Sequence, residues 1–261
     1  MADGILGSRS DGSDADLIGS SYAAWDGSKF CREPETERAF PRIAENAYAD
    51  LGEHILDESF SCVGAKAAMN GGLFRAGFYA SLNTPATNAT LACDLGIFAR
   101  EQEASSTNYA SFAAIFGGPA IRDEGEWESR LWTQLKDLHE LDRRSFEWDP
   151  KVSSDPDNPA FSFSFAGTGF FVVGLNPVSS RLARRFSWAA MIFNPHAQFD
   201  RLRDINQYAR LQSTIRAREI KLQGSLNPNL SEFGERSEAR QYSGRAVEEK
   251  WKCPFSAFFR K

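Results

Sequence analysis

Histidine, methionine and cysteine are scarce in this chain, at three, three and four residues of 261. Cys31, Cys62, Cys93 and Cys253 lie far apart with no Cys-x-x-Cys pair, which argues against a disulfide scaffold and a closed four-ligand zinc site. No run approaches the roughly 20 apolar residues that span a bilayer, so no membrane partner is expected. Residues 1–21 lack the basic start and apolar block of a secretory leader. A cytoplasmic protein with reduced thiols is the expectation. Phosphate-cradling loops are missing too. There is no Walker sequence, and Gly167-Thr168-Gly169 is too short for a dinucleotide fingerprint. No serine sits in a nucleophile-elbow sequence.

What is abundant is apolar and aromatic. Hydrophobic residues make up 42% of the chain, with 21 Phe, enough for the core of one large domain. Charge is uneven. Residues 176–261 hold 16 basic and 8 acidic side chains, a net of +8, which leaves −13 on residues 1–175 for a total of −5. An acidic chain with a basic C-terminal third suits a small anionic ligand better than nucleic acid, and no nucleic-acid partner is expected.

Residues 1–29 are rich in Gly, Ser and Asp, and residues 1–35 read as a poorly ordered tail before a single domain at 36–261. Apolar spacing predicts helices over 40–60, 62–69, 85–103, 124–146 and 205–222. Strands are expected over 73–80, 109–116 and 188–193. Phe161-Ser162-Phe163-Ser164-Phe165 and Phe170-Phe171-Val172-Val173-Gly174 read as a hairpin joined through Ala166-Gly167-Thr168-Gly169. The expected fold is α+β, a mostly antiparallel sheet flanked by helices.

Candidate chemistry gathers in the C-terminal third. In Asn194-Pro195-His196 the expected helix start has Asn194 as N-cap, Pro195 first and His196 in the first turn. The positive end of the helix dipole there disfavours an imidazolium, and a neutral imidazole offers its lone pair to a metal or a haem iron. Ser180, Arg181, Arg184 and Arg185 lie just upstream, and guanidiniums beside an imidazole suit a cofactor that carries both metal and carboxylates. The competing reading is a hydrogen-bonded helix-start histidine beside a solvated basic loop. His54 and His139 lack such a setting. Cys62, at a helix start, and Cys253, followed by Pro254, are alternative axial ligands; the bland reading of each is a buried, inert thiol. A third cluster holds Glu235, Glu238, Arg240, Gln241 and Arg245 in a polar, irregular stretch. Its carboxylates can clamp a guanidinium in bidentate fashion, or simply pin the loop through internal ion pairs.

Several ordered blocks carry a resemblance. Gly174-Leu175-Asn176-Pro177, Ser179-Ser180-Arg181, Ala183-Arg184-Arg185-Phe186 and Phe193-Asn194-Pro195-His196 resemble the YqcI/YcgG family, as do Glu232-Phe233-Gly234-Glu235, Ser237-Glu238-Ala239-Arg240-Gln241-Tyr242-Ser243-Gly244-Arg245 and Trp251-Lys252-Cys253-Pro254-Phe255. The likeness covers about residues 60–255, and Phe60-Ser61-Cys62 stands where a Phe-Pro-Cys form is associated with the family. The resemblance implies haem-dependent N-oxygenation of guanidino compounds. It is nearest to the arginine Nω-hydroxylases of D-cycloserine-type antibiotic biosynthesis and less near to members acting on cyclic arginine derivatives. On that basis haem b iron is expected on His196, with Arg181, Arg184, Arg185 and Ser180 on the cofactor side. Glu238, Glu235 and Gln241 are expected on the side of the substrate, L-arginine. Dioxygen or peroxide would be the oxidant, with an electron donor that the sequence does not name. A homodimer is left open. The alternative is a haem sensor or carrier without turnover.

Overall fold

Along the central strands, alternate side chains enter two separate cores, as the two-residue period of a strand requires. In β4 (Ser111–Phe116), Phe112, Ala114 and Phe116 join one core, while Ala113 and Ile115 join the other. The computed structural model describes residues 21–32, 39–105, 107–231 and 234–255. Its seven-stranded sheet runs β2-β1-β3-β4-β7-β6-β5. Here β1 is Ala23–Trp25, β2 Phe30–Arg32, β3 Phe74–Tyr79, β5 Phe163–Phe165, β6 Thr168–Leu175 and β7 Ala189–Pro195. Every pairing is antiparallel except β3 with β4. That pair is joined through α3 (Pro85–Glu103), which packs on the sheet as a crossover. The expected α+β architecture is the one observed.

One face carries α3 and α4 (Glu124–Asp142), with Leu91, Leu95, Phe98, Trp127, Leu131 and Leu135 buried against it. The other carries α1 (Arg42–Leu56) and α2 (Val63–Asn70). Helix starts follow their caps. Thr84 Oγ1 accepts from Thr87 N ahead of Pro85, and Asp123 Oδ1 accepts from Glu126 N at 2.8 Å to open α4. Asp123→Ala is therefore expected to lower stability by about 1 kcal/mol in urea unfolding, with no change in the cavity described below. No helix among the described residues is long and apolar enough to cross a membrane.

Three expectations are corrected. Part of the supposed tail is the β1–β2 hairpin: Trp25 and Phe30 are buried against Tyr48 and Phe74, which outweighs the Gly/Ser/Asp composition; residues 1–20 and 33–38 lie outside the described residues. α4 stops at Asp142, short of 146, where the buried carboxylate accepts from Ala166 N at 2.8 Å and ties the helix end to the hairpin turn. That turn is only Ala166-Gly167, both at positive φ (50° and 70°), the pattern of a tight two-residue hairpin. Ser162 and Ser164 are buried as well as the phenylalanines beside them, so β5 is covered on both sides.

Candidate active site

Asn194 is not a helix cap. It pairs with Phe171 in the β6–β7 ladder, its amide donates to Phe171 O, and its carbonyl oxygen accepts from Ser111 Oγ at 2.7 Å. Pro195 takes the N-cap position with extended backbone, so His196 is the first residue of α5 (His196–Asp204). The strand-to-helix corner is held by Gln198, whose buried amide accepts from Ala110 N and donates to Ala110 O. Asn206, at φ 58°, breaks the chain before α6 (Tyr208–Gln223), which ends at Gly224 with φ 77°.

These elements enclose a cavity of about 320 Å³. Its floor is the α1/α2 face of the sheet, through Phe74, Val173, Leu175 and Ile192, with Phe171 toward β5. Tyr208, Leu211, Gln212, Ile215, Arg216 and Glu219 line it from α6 at helical spacing. Residues 234–241 complete the wall, ending in α7 (Ala239–Tyr242).

His196 and Glu238 meet there. Nε2 of His196 stands 4.0 Å from Glu238 Oε2, and Nδ1 lies 3.6 Å from Asp200 Oδ2. Burial lowers the imidazole pKa below its ordinary value, opposed by Asp200, so the ring is neutral near pH 7. Neutrality was expected from the helix start; here desolvation is the larger cause. Glu238 Oε1 accepts from Tyr242 Oη at 2.6 Å and from Ser162 Oγ at 2.8 Å. Tyr242 Oη also accepts from Phe163 N and lies against Phe170 O, both at 3.1 Å, fixing α7 to the β5–β6 pair. Burial pushes the Glu238 carboxyl up to about 8, against the lowering effect of those two hydroxyls and of Arg203. One carboxyl oxygen is thus anchored and the other faces the imidazole.

The remaining expected residues divide. Arg184 and Gln241 line the cavity, as does Cys62. Arg184 donates to Gly174 O and Gln241 O, with no carboxylate in direct contact among the described residues, and burial lowers its guanidinium to about 10. Arg181, Arg185, Ser180 and Glu235 are not in the lining. Arg181 is turned inward onto Glu219 (2.5 Å) and Ser225; Arg185 donates to Ser179 O; Ser180 is held by Glu124. Glu235 is exposed at the outer side of its loop. Cys253 belongs to the core under α4, away from the cavity, because the Pro254–Phe255 turn packs Phe255 against Trp132 and Phe163. Burial pushes the Cys62 thiol up, which favours the protonated form over a ligating thiolate. Arg203, Arg216 and Arg236 line the cavity without having been singled out. Arg203, two turns after His196 on α5, was the one that helical spacing could have shown.

A single imidazole fits a metal that arrives already bound in a macrocycle better than a bare ion. No group of three or more His, Cys, Asp and Glu among the described residues could hold a metal ion. The aromatic and aliphatic lining, the neutral ring, and the half-buried Arg184 cation fit a flat apolar cofactor that carries acid groups.

The fold and cavity thus define an α+β protein with a half-buried acid–imidazole pair in an apolar pocket. The chain belongs to the YqcI/YcgG family, whose family model matches residues 51–256 and so takes in every residue that lines the cavity. Among its relatives is uncharacterized protein YqcI of Bacillus subtilis (strain 168), 29% identical over 220 residues, 78% of this chain and 84% of the relative. Uncharacterized protein YcgG of the same strain is 28% identical over 234 residues, covering 85% of this chain and 89% of the relative. No solved structure matches the chain.

Proposed function

We propose that this protein is a haem-dependent N-oxygenase that converts L-arginine to Nω-hydroxy-L-arginine. The observation that carries the reading is the neutral His196 beside the half-buried Glu238, 4.0 Å apart in the wall of an apolar cavity. His196 would hold the haem b iron, with Asp200 on the Nδ1 side orienting the ring. Arg184, with Arg203, Arg216 and Arg236 in place of Arg181 and Arg185, would meet the propionates. When bound, the iron supplies activation of dioxygen or peroxide, which no side chain here offers.

The chain's own part is recognition and exclusion of water. The substrate guanidinium would lie against Glu238 Oε2, while Tyr242 and Ser162 hold Oε1 and so fix the direction of the carboxylate. Arrival of the cation would draw the proton off Glu238, and the aromatic wall would keep solvent from the reacting nitrogen. Gln241, beside Glu238, is the second polar group available to the guanidine. A role in D-cycloserine-type antibiotic biosynthesis and a cytoplasmic location belong to the same reading, which rests on the family resemblance noted above.

Haemin titration tests the reading. Wild-type protein is expected to give a histidine-ligated haem spectrum, and His196→Ala to lose affinity by tenfold or more, on the scale of a lost metal-site interaction. An unchanged spectrum in His196→Ala removes the imidazole as ligand. Mass spectrometry of arginine after incubation with loaded protein and a reductant or peroxide should show one added oxygen. A sensor or carrier would bind haem but leave arginine unaltered.

A further inference from the structure

The acid that faces His196 is joined by a short hydrogen bond to a chain of oxidisable rings that leads out of the cavity wall. Tyr242 Oη lies 2.6 Å from Glu238 Oε1, and the Tyr242 ring stacks on Trp132 with centroids 5.5 Å apart and an interplanar angle of 18°. Trp132 in turn lies 6.4 Å from Trp251, which is half-buried beside the guanidinium of Arg240. Phenol and indole are the side chains most readily oxidised by one electron, and rings in van der Waals contact exchange electrons easily. Trp132 has a further property that suits a relay. Its ring is fully buried, and its indole N–H has no hydrogen-bond partner among the described residues. An oxidised indole without an acceptor cannot shed its proton, so the hole passes on rather than being trapped.

We propose that Tyr242, Trp132 and Trp251 form a relay that carries single electrons between the cavity and the protein surface. The relay rests on the oxidative chemistry proposed above and supplies the route by which an external donor reaches it. With a peroxide-oxidised haem iron as acceptor, Tyr242 gives up one electron to the iron as its O–H proton passes to the ionised Glu238. Trp132 then returns an electron to the tyrosyl oxygen, which takes the proton back from Glu238. Trp251 reduces Trp132, and a one-electron reductant at the surface reduces Trp251. In sum one electron moves from that reductant to the iron, and no proton is gained or lost by the relay.

The relay can be tested at pH 9, where Glu238 is ionised and can take the Tyr242 proton, on the purified full chain without haem, which separates its failure from failure of the haem reading. Azidyl radicals made by pulse radiolysis oxidise indoles, and transfer along the relay appears as decay of the tryptophanyl absorption with matching growth of the tyrosyl absorption. Trp132→Phe and Tyr242→Phe are expected to slow or abolish that component by an order of magnitude or more. Trp251→Phe, a half-buried and milder change, is expected to reduce its amplitude. Circular dichroism of each variant establishes that the fold is retained. Absence of the component in wild type, or equal rates in wild type and all three variants, overturns the proposal.

Discussion

Gly174→Val is expected to yield no folded protein, and Gly174→Ala to lose stability by about 1–3 kcal/mol or more in urea unfolding. Gly174 lies in β6, paired with Met191, on the face that meets α4. A Cβ built there falls 2.8 Å from Leu131 Cδ1, 2.8 Å from Tyr242 O and 2.9 Å from Trp127 Cζ2. None of the three can yield cheaply. Leu131 and Trp127 are fully buried, Trp127 Nε1 is bonded to Ser243 O at 3.0 Å, and Tyr242 O is backbone. Relief therefore means lifting α7 off the sheet. That breaks the contacts of Tyr242 with the β5–β6 backbone and moves Glu238 with it. Two further methyls in valine would add an overpacking cost comparable with the roughly 5–15 kcal/mol that holds a whole domain together. An alanine variant as stable as wild type, with its cavity intact, would show that α7 rides on the sheet far more loosely than this packing describes.

The same stretch shows why some of the molecule is legible from its residues and some is not. Helices α3 and α4 declare themselves locally, because Thr84-Pro85 and Asp123 are caps whose partners lie three residues away. The β5–β6 hairpin is equally local, since Ala166-Gly167 must reverse the chain between two apolar runs. Sheet order is not local. Nothing near Ala23–Trp25 says that β1 extends the sheet beside β3, because its reason for being a strand is burial under α1.

The site divides in the same way. His196 at a helix start and Glu238 in a polar cluster could be picked out one at a time, but their meeting depends on Ser162, 76 residues before Glu238, and on Tyr242 gripping two strands. Arginine density misled for a physical reason. Sequence gives the number of guanidiniums between residues 181 and 185 but not their direction. Arg181 turns away to Glu219, 38 residues on, while Arg184 alone faces the cavity. Cys253 sits in one of the chain's most recognisable blocks and lies in the opposite core. A dense local motif can therefore mark packing as readily as chemistry.

Glu238→Gln is expected to make the protein more stable at alkaline pH and, on the proposed function, to abolish arginine binding. The carboxyl rises from its ordinary 4.5 to about 8 on folding, chiefly through burial. Between those two values the native state keeps a proton that the unfolded chain releases, so stability falls as pH rises through the window and levels off above about 8. A shift of this size corresponds to a few kcal/mol on the scale of about 1.4 kcal/mol per pH unit. Glutamine resembles the protonated acid at every pH. Its oxygen can accept from Tyr242 and Ser162 as Oε1 does now, and its amide can donate toward His196 Nε2. Urea unfolding from pH 5 to 9 should therefore give a difference between variant and wild type that grows through the window in favour of glutamine. Other titrating groups, such as Asp142 at about 6, cancel in that difference. Equal slopes would mean that the folded protein ionises Glu238 as easily as water does. In wild type, arginine binding should release a proton below pH 8, visible as a buffer-dependent calorimetric enthalpy that vanishes in the variant. An acid kept in an apolar wall at a loss of stability is what a cation site requires, because only there does arrival of the guanidinium offset the cost of the bare carboxylate.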